Sequence, residues 1–450
     1  MNTPIADFVK GYEKMKMDRL HMPGHKGKSF LGCEAFDITE VNGADALYEA
    51  DGIIAESESN ATLLFGTKRT IYSTEGSSQC IRAMLYLALM NKKQGQRPVV
   101  VAARNVHKAF VYAAALLDLE VVWLYPEGDM RSLCSCEVKA DTLKKLLDSM
   151  QEPPIAVYVT SPDYLGGQLD IRALADVCHE KGTVLAVDNA HGAYLHFTED
   201  KNHPIDLGAD ICCDSAHKTL PVLTGGAYLQ IGNQAPQIFS DYGKQAMALF
   251  GSTSPSYLIL CSLDLCNQYL GNNYKERLKD CISNLNDLKV QLKKQGWQIE
   301  DTEPLKLTIR ISEGMTGQSL AERLRKQQIE CEYADPEYLV CMFTPEIDIN
   351  TYSRIAKVMG ENTSSYSEKA PIQIAECKQK ISIRKAVFAE HEKIKVKEAL
   401  GRICASPAVS CPPAIPIVVS GEEVNEAAIH LFEHYGLDSL DVVKRKEEKL

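Results

Sequence analysis

Arg69-Thr70-Ile71-Tyr72-Ser73 opens the part of the sequence that decides the fold, because strand and helix patterns alternate from there to Val187. Short apolar runs typical of buried strands are separated by longer segments with apolar residues at helical spacing. Repeated strand-helix units predict a doubly wound α/β domain with a mainly parallel sheet covered on both faces. The predicted strands are 69–73, 98–103, 121–125, 155–160 and 184–187, and the predicted helices are 78–92, 107–117, 140–150 and 171–181.

Polar residues cluster after five of the predicted strands, and ligands of open α/β sheets bind outside the carboxyl ends of the strands. Gly76, Ser77 and Ser78 open a predicted helix, where backbone amides and the helix dipole favour an anion. A simple N-cap explains these three residues equally well when they are taken alone. The five clusters are 75–78, 104–108, 161–164, Asp188 with His191, and Ser215 with His217 and Lys218.

The segment Asp214-Ser215-Ala216-His217-Lys218-Thr219-Leu220-Pro221, followed by Thr224-Gly225-Gly226, places a lysine between predicted strands 211–213 and 226–231. A tight connection there partly removes the amine from water. Desolvation lowers the pKa of a lysine and makes its amine a nucleophile toward an aldehyde. Most loop lysines are solvated charges, so this prediction needs a second motif.

The second motif is Val184-Leu185-Ala186-Val187-Asp188-Asn189-Ala190-His191-Gly192-Ala193, an apolar strand that ends in an acid. Taken alone, Asp188 is compatible with a helix cap or a magnesium ligand. An acid one strand before a loop lysine is the arrangement that pyridoxal 5'-phosphate needs. The acid keeps the pyridine nitrogen protonated, and the lysine holds the aldehyde. The two motifs together predict a pyridoxal-phosphate site.

The composition is that of a soluble globular protein, with 450 residues of which 45% are hydrophobic and 24% charged. A formal net charge of −11, without a basic cluster interleaved with aromatic residues, argues against nucleic acid as the main partner. We expect no membrane association and a cytoplasmic location, because the apolar region 109–125 is interrupted by Asp118 and Glu120 and residues 1–16 lack a signal-peptide core. The 15 cysteines lack zinc or redox spacing, so we predict reduced thiols and no metal site.

The later part of the chain predicts a smaller α/β unit that follows a helical stretch over 256–294. Its predicted strands are 297–299, 306–311, 329–333 and 338–343, and its predicted helices are 319–327 and 349–358. A polar linker over 361–367 then precedes a C-terminal segment. The predicted division is an N-terminal arm 1–36, a large cofactor-binding domain 37–265, a small α/β domain 266–362 and a C-terminal segment 371–450.

Along almost its whole length, the chain resembles the short form of the Orn/Lys/Arg decarboxylase family of fold-type I pyridoxal-phosphate enzymes. This resemblance implies an aspartate-aminotransferase-like large domain. A nucleotide P-loop over 24–29 is excluded, because Met22 stands where that pattern needs a glycine. The matching blocks, besides the Asp188 and Lys218 motifs, are His21-Met22-Pro23-Gly24-His25-Lys26-Gly27, Asp37-Ile38-Thr39-Glu40, Arg104-Asn105-Val106-His107-Lys108, Ser252-Thr253-Ser254-Pro255 and Cys411-Pro412-Pro413-Ala414-Ile415-Pro416.

The resemblance also implies roles for individual residues. Lys218 carries the Schiff base with the cofactor, Asp188 pairs with the pyridine nitrogen, and His107 stacks on the ring. His191 matches a residue beside the ring substituents, and Thr253 matches a residue that reaches the phosphate from the partner subunit. The remaining cofactor-binding positions, which match the phosphate site, are Gly76, Ser77, Ser78, Ser215 and His217.

The implied activity is α-decarboxylation of a small-molecule substrate, arginine, lysine or ornithine, to the corresponding amine and carbon dioxide. The implied assembly is a homodimer or a higher homo-oligomer. Two alternatives stay open at this point. One is another fold-type I reaction, such as transamination or Cα–Cβ cleavage, because the same cofactor site serves all of them. The other is a non-catalytic homologue.

Overall fold

The computed structural model describes residues 1–127, 132–366, 372, 375–409 and 415–445. The chain divides into two compact units, and each unit is built from two separate parts of the sequence. The first unit comprises Met1–Lys93 and Ile171–Asp280, and the second comprises Gln94–Asp170 and Cys281–Leu450.

The elements are numbered in chain order. Up to residue 231 they are α1 (Pro4–Lys14), α2 (Ile53–Phe65), β1 (Arg69–Ser73), α3 (Ser77–Met90), β2 (Val99–Ala103), α4 (Lys108–Leu117), β3 (Glu120–Leu124), α5 (Ala140–Ser149), β4 (Ala156–Thr160), α6 (Ile171–Glu180), β5 (Val184–Asp188), β6 (Ile211–Asp214), α7 (Ala216–Thr219) and β7 (Ala227–Ile231). After residue 231 they are α8 (Gln237–Ala248), α9 (Tyr257–Leu270), α10 (Tyr274–Lys294), β8 (Gln298–Ile299), β9 (Lys306–Arg310), α11 (Gly317–Arg325), β10 (Tyr333–Ala334), β11 (Tyr338–Met342), α12 (Asn350–Met359), α13 (Ile383–Val387), β12 (His391–Lys395), β13 (Ala408–Val409), β14 (Pro416–Val418), α14 (Glu426–His434) and β15 (Ser439–Val443).

Strands β1 to β7 form the main sheet, which is mostly parallel. In the first unit the strand order is β1-β7-β6-β5, with β7 antiparallel to both β1 and β6. In the second unit the order is β4-β2-β3, and these pairs are parallel. Every residue of β2, β5, β6 and β7 is buried, as expected for strands covered on both faces. The predicted α/β fold class is confirmed.

Three predicted features differ in the structure. Lys218 was placed on a tight connection, but it lies in the four-residue helix α7. The helical stretch predicted over 256–294 is divided into α9 and α10. The strand predicted over 329–333 shrinks to β10, because the chain is still turning after α11: Gln328 has a φ of 59° and the Ile329 amide donates to the Leu324 carbonyl.

The second unit also contains a four-stranded antiparallel sheet in the order β10-β11-β9-β8. The C-terminal part of the second unit contains the strand pairs β12-β15 and β13-β14 and a buried apolar cluster. The Arg104 guanidinium, just after β2, donates to the carbonyls of Pro416 and Ile417 at 2.9 Å each, and lies 3.4 Å from the Glu422 carboxylate. Because a buried charge needs partners, this ion pair anchors the end of β2 to the C-terminal part.

The cysteines within the described residues are free thiols, and most of them are buried. A buried thiol packs as a small apolar side chain, so most of these cysteines are core residues. Among the helices that the structure describes, none combines the length and the apolar character that crossing a membrane requires.

Candidate active site

Asp188 ends β5 and is almost completely buried, with 3% of its surface exposed. Its Oδ1 accepts hydrogen bonds from the Ala190 amide at 3.2 Å and from the Cys213 thiol at 3.4 Å. Burial, with the nearby Asp188 carboxylate as the next cause, raises the pKa of the Cys213 thiol well above its ordinary value. The thiol therefore keeps its proton and stays a donor, so that the carboxylate is oriented from two sides.

Lys218 lies in α7, directly after β6, and its side chain is partly buried. Its Nζ is 3.0 Å from Nε2 of His191, which is carried by the turn after β5. Strands β5 and β6 run parallel with Asp188 opposite Cys213, so the two turns leave the sheet side by side. The structure thus brings the acid and lysine motifs together at the carboxyl end of the sheet, where ligands of such folds bind.

The N-terminus of α3 supplies features that suit an anion. The Ser77 hydroxyl accepts a hydrogen bond from the Ser215 hydroxyl at 2.8 Å. The first amides of a helix have no acceptor within the helix, and the helix dipole adds positive potential there. Gly76, the N-cap residue, has a φ of 72°, and a Cβ on it would meet no chain atom within 4 Å. Ser78 follows in the same first turn.

Gly225 and Gly226 connect this helix start to the lysine turn. The Gly76 amide donates to the Gly225 carbonyl at 2.7 Å, and the Gly226 carbonyl accepts from His217 through its amide at 3.2 Å and its Nδ1 at 2.9 Å. Burial lowers the pKa of His217, which favours the neutral ring with the proton on Nδ1. Gly225 has a φ of 100°, and a Cβ there would lie 2.9 Å from the Thr74 carbonyl oxygen, so only glycine fits.

Thr253 is exposed in the segment between α8 and α9. The neighbouring Ser252 amide donates to the Glu75 carboxylate, and the Ser254 amide donates to the Ser252 hydroxyl at 3.1 Å. The Ser252–Pro255 segment is therefore attached to the turn that precedes α3, within the first unit.

His107 belongs to the second unit, where it caps α4. Its Nδ1 accepts a hydrogen bond from the Ala109 amide at 3.1 Å. The other predicted site residues all lie in the first unit. The Cys411–Ala414 part of the last family-like block lies outside the described residues.

A buried polar group that was not predicted from the sequence lies next to these turns. Asp214 ends β6, and its carboxylate accepts hydrogen bonds from Asn189 at 2.6 Å, from Gln230 at 3.0 Å and from His203 at 3.1 Å. Both Asn189 and Asp214 stand inside the quoted motifs, directly after Asp188 and directly before Ser215. Their pairing could not be read from the sequence, since it depends on the register of β5 and β6.

His203, Cys212 and Asp214 are close enough to be considered as metal ligands. Nδ1 of His203 accepts from the Ile205 amide at 3.3 Å, so the ring proton lies on Nε2, which points at Asp214. A protonated imidazole nitrogen is a donor, so the contact between His203 and Asp214 is that of a hydrogen-bonded pair.

Two family models match the chain. The family model for the Orn/Lys/Arg decarboxylase major domain matches residues 3–311, and the model for the C-terminal domain of the same family matches residues 362–436. Arginine decarboxylase of Bacillus subtilis (strain 168) is 27% identical to the chain, and the alignment covers 95% of this chain and 92% of the relative.

Two solved structures share the fold. Lysine decarboxylase A from Pseudomonas aeruginosa superposes with a TM-score of 0.80 at 16% identity, covering 98% of this chain and 80% of that one. Sphingomonas wittichii serine palmitoyltransferase superposes with a TM-score of 0.56 at 14% identity, covering 78% and 82%. Because the major-domain model spans most of the sequence, the chain belongs to the Orn/Lys/Arg decarboxylase family of pyridoxal-phosphate-dependent amino-acid decarboxylases.

Proposed function

We propose that this protein removes the α-carboxylate of arginine, lysine or ornithine and releases carbon dioxide and the corresponding amine, with pyridoxal phosphate bound through Lys218. Membership of the decarboxylase family supports the reaction type. The observation that carries the site assignment is the 3.0 Å contact between Lys218 Nζ and His191 Nε2, in adjacent turns, one of which begins at Asp188.

The residues of the first unit fit this cofactor. In the proposal, Lys218 holds the aldehyde carbon, Asp188 faces the pyridine nitrogen and His191 lies beside the ring substituents. The phosphate is held by Gly76, Ser77 and Ser78 at the start of α3, together with Ser215 and His217. When bound, the cofactor accepts the electron pair left by bond cleavage at the substrate's α carbon.

The chain's own groups orient the reacting parts. The buried Asp188 carboxylate holds a proton on the ring nitrogen, and a charge pair is stronger in a buried site than in water. The Lys218 amine donates toward Nε2 of His191, which fixes the direction of the amine. By family resemblance we further propose that His107 stacks on the ring. None of these roles requires a metal ion.

The substrate range is the first test. We expect one of the three basic amino acids to be clearly preferred, with buried polar groups pairing with its distal cation. Leaving such groups unpaired costs far more than losing a methylene, which is worth about 1 to 3 kcal/mol. Norleucine, which has the chain of lysine but no distal amine, should therefore be rejected more strongly than lysine is distinguished from ornithine. Carbon dioxide release and amine formation, measured for all four compounds, give the comparison.

The same assay separates the alternatives. Rapid keto-acid formation in place of amine indicates a transaminase. Absence of turnover with every basic amino acid, in protein that holds the cofactor, contradicts the decarboxylase proposal and favours a non-catalytic homologue. Equal rates with norleucine and lysine would show that the distal cation is not recognised.

We also propose that the active unit is a homodimer with shared sites. Large apolar side chains are exposed along residues 15–36, and such a concentration of exposed apolar surface is typical of protein interfaces. Thr253 is exposed in its own protomer and resembles a phosphate ligand donated by a partner subunit. The exposed apolar residues are Met15, Met17, Leu20, Met22, Phe30, Leu31 and Phe36.

Subunit mixing tests this arrangement. A Lys218→Ala protein and a Thr253→Ala protein should each have low activity, and mixed dimers should recover part of it. Recovery follows because one of the two composite sites in a mixed dimer keeps both residues. The measurement is the rate of carbon dioxide release after subunit exchange. In the control, Thr363→Ala takes the place of Thr253→Ala, because Thr363 is also an exposed threonine. A monomer that is fully active at assay concentration would contradict the shared site.

A further inference from the structure

We infer that Asn189, Asp214 and His203 form a buried brace that sets the positions of the turns carrying His191 and Lys218. Asp214 is then a positioning residue, since it acts through its neighbours. The inference rests on the proposed function, because Lys218 is the residue proposed to hold the cofactor.

The brace joins the two turns directly. Asn189 follows Asp188 and lies two positions before His191, and its side-chain amide donates to Asp214 Oδ1 at 2.6 Å. Its backbone amide donates to the Cys213 carbonyl at 3.0 Å. On the other side, Asp214 directly precedes Ser215 in the chain. The Ser215 carbonyl accepts a hydrogen bond from the Lys218 amide at 3.0 Å. A shift between Asn189 and Asp214 therefore moves His191 and Lys218 relative to each other.

The Asp214 carboxylate is held by three donors from different parts of the first unit, which are Asn189, Gln230 and His203. Gln230 in β7 donates to Oδ2 and accepts from the Thr70 hydroxyl at 2.6 Å, which extends the group into β1. His203 donates through Nε2, and its ring lies 6.0 Å from the Phe65 ring, centroid to centroid. Asn189 and Asp214 are 0% exposed and His203 is 1% exposed. Water does not compete for these hydrogen bonds, so the brace is rigid.

Asn267 provides a matched control for a merely structural role. It is also an asparagine of the first unit with 0% exposure, and its amide donates to the Tyr72 hydroxyl at 2.7 Å and the Ser57 carbonyl at 3.0 Å. In both Asn189 and Asn267 the side-chain oxygen is buried without a hydrogen-bond partner among the described residues. Replacing Asn267 by alanine removes more buried side-chain hydrogen bonds than replacing Asn189 does, but only Asn189 touches the brace.

The experiment compares Asn189→Ala with Asn267→Ala in the full chain. Misplacing reacting groups by about 1 Å costs roughly 10²-fold in rate, so we expect Asn189→Ala to lower kcat at least about tenfold with little change in KM. Its dissociation constant for pyridoxal phosphate should rise about tenfold, and the pH midpoint of the visible absorbance of the Lys218-bound cofactor should shift. Asn267→Ala should lower the urea midpoint of unfolding at least as far as Asn189→Ala does. It should leave kcat, KM and the dissociation constant for the cofactor within about twofold, and the pH midpoint unshifted.

A reversed pair gives a second arm that does not depend on how well one variant folds. Asn189→Asp alone sets two carboxylates against each other across the brace. Adding Asp214→Asn restores the hydrogen bond with donor and acceptor exchanged, because the side-chain amide at position 214 then donates to the carboxylate at position 189. The side-chain oxygen at position 214 still accepts from Gln230 and His203. We expect the double variant to regain about tenfold in kcat and in cofactor affinity over Asn189→Asp.

The outcomes separate the inference from the proposed function. Equal effects of Asn189→Ala and Asn267→Ala on cofactor affinity, absorbance and kcat overturn the brace, and so does a double variant no better than Asn189→Asp. Both results leave the wild-type assignment of Lys218 intact. A wild-type protein that binds no cofactor, or binds it on another lysine, overturns the proposed function and the positioning role together.

Discussion

Lys218→Ala is expected to abolish covalent attachment of pyridoxal phosphate and to lower the decarboxylation rate by at least about 10³-fold, which corresponds to about 4 kcal/mol of activation free energy. The reason is that the proposed attachment point is a partly buried amine whose Nζ lies 3.0 Å from His191, a position that alanine leaves empty. Borohydride reduction followed by peptide mapping should place the cofactor label on the Lys218 peptide of the wild type and on no peptide of the variant.

Lys68→Ala is the matched control for this experiment. Lys68 is also a partly buried lysine of the first unit, and its Nζ lies 3.3 Å from the Ala235 carbonyl. This variant should keep the wild-type label and rate. A label on a different lysine of the wild type would show that the site assignment is wrong, as would a Lys218→Ala protein with an undiminished rate.

The strands and helices around the site could be predicted from the sequence because their residues follow regular patterns. The predicted boundaries of the main-sheet strands and of α3 to α6 agree with the structure to within two residues. In these elements the apolar residues face a core and polar residues stand at the ends. The spacing of apolar residues in the sequence therefore predicts which residues are buried and where each element begins and ends.

Two helices of the first unit, α2 and α8, were not predicted, and the structure shows why. Glu58 of α2 and Lys244 of α8 are both buried and form an ion pair at 2.6 Å. Ser57 of α2 is buried too, and its hydroxyl donates to Asp264 at 2.6 Å. Buried, paired polar residues thus stand among the apolar residues on the core faces of these segments, which weakens the contrast that identifies a helix in a sequence.

The candidate site was predictable to the extent that its residues stand in local motifs. Asp188 and Lys218 were found from an acid at a strand end and a lysine after a strand, and the register of β5 and β6 brings their turns together. The brace could not be found in this way, because His203 and Gln230 reach Asp214 through tertiary contacts. The roles assigned to all the predicted site residues, with Asp188, Lys218, His107 and Thr253 among them, stay predictions, and so do the predicted domain boundaries.

The presence of both Asp188 and Lys218 argues against a non-catalytic homologue. A protein that only binds a ligand has no need of an electron sink or a covalent attachment point. Asp188 also carries a free-energy cost for folding, because it is a carboxylate with 3% exposure at the end of a buried strand. Burying a charged group lowers stability unless partners compensate, so its function should be visible when the charge alone is removed.

Asp188→Asn removes that charge while keeping the shape of the side chain. The amide oxygen can still accept from the Ala190 amide and the Cys213 thiol, so the turn and its cofactor-binding residues should stay in place. We expect pyridoxal phosphate to bind, but kcat to fall by about 10³-fold, within the range by which a positioned proton-holding group contributes to catalysis. The measurement is kcat at saturating cofactor, with bound cofactor quantified by its visible absorbance.

Asp264→Asn is the control that separates a lost charge at the site from a lost buried charge elsewhere. Asp264 is a 0% exposed carboxylate of the first unit that accepts from the Ala6 amide at 2.9 Å, and burial raises its pKa. Its replacement should change the stability of the protein and leave kcat of the cofactor-loaded enzyme within about twofold. If Asp188→Asn kept the wild-type kcat as well, protonation of the pyridine nitrogen would not be controlled by this carboxylate. The main physical argument for the proposed mechanism would then be lost, because an unprotonated ring is a weak acceptor for the electron pair left at the α carbon.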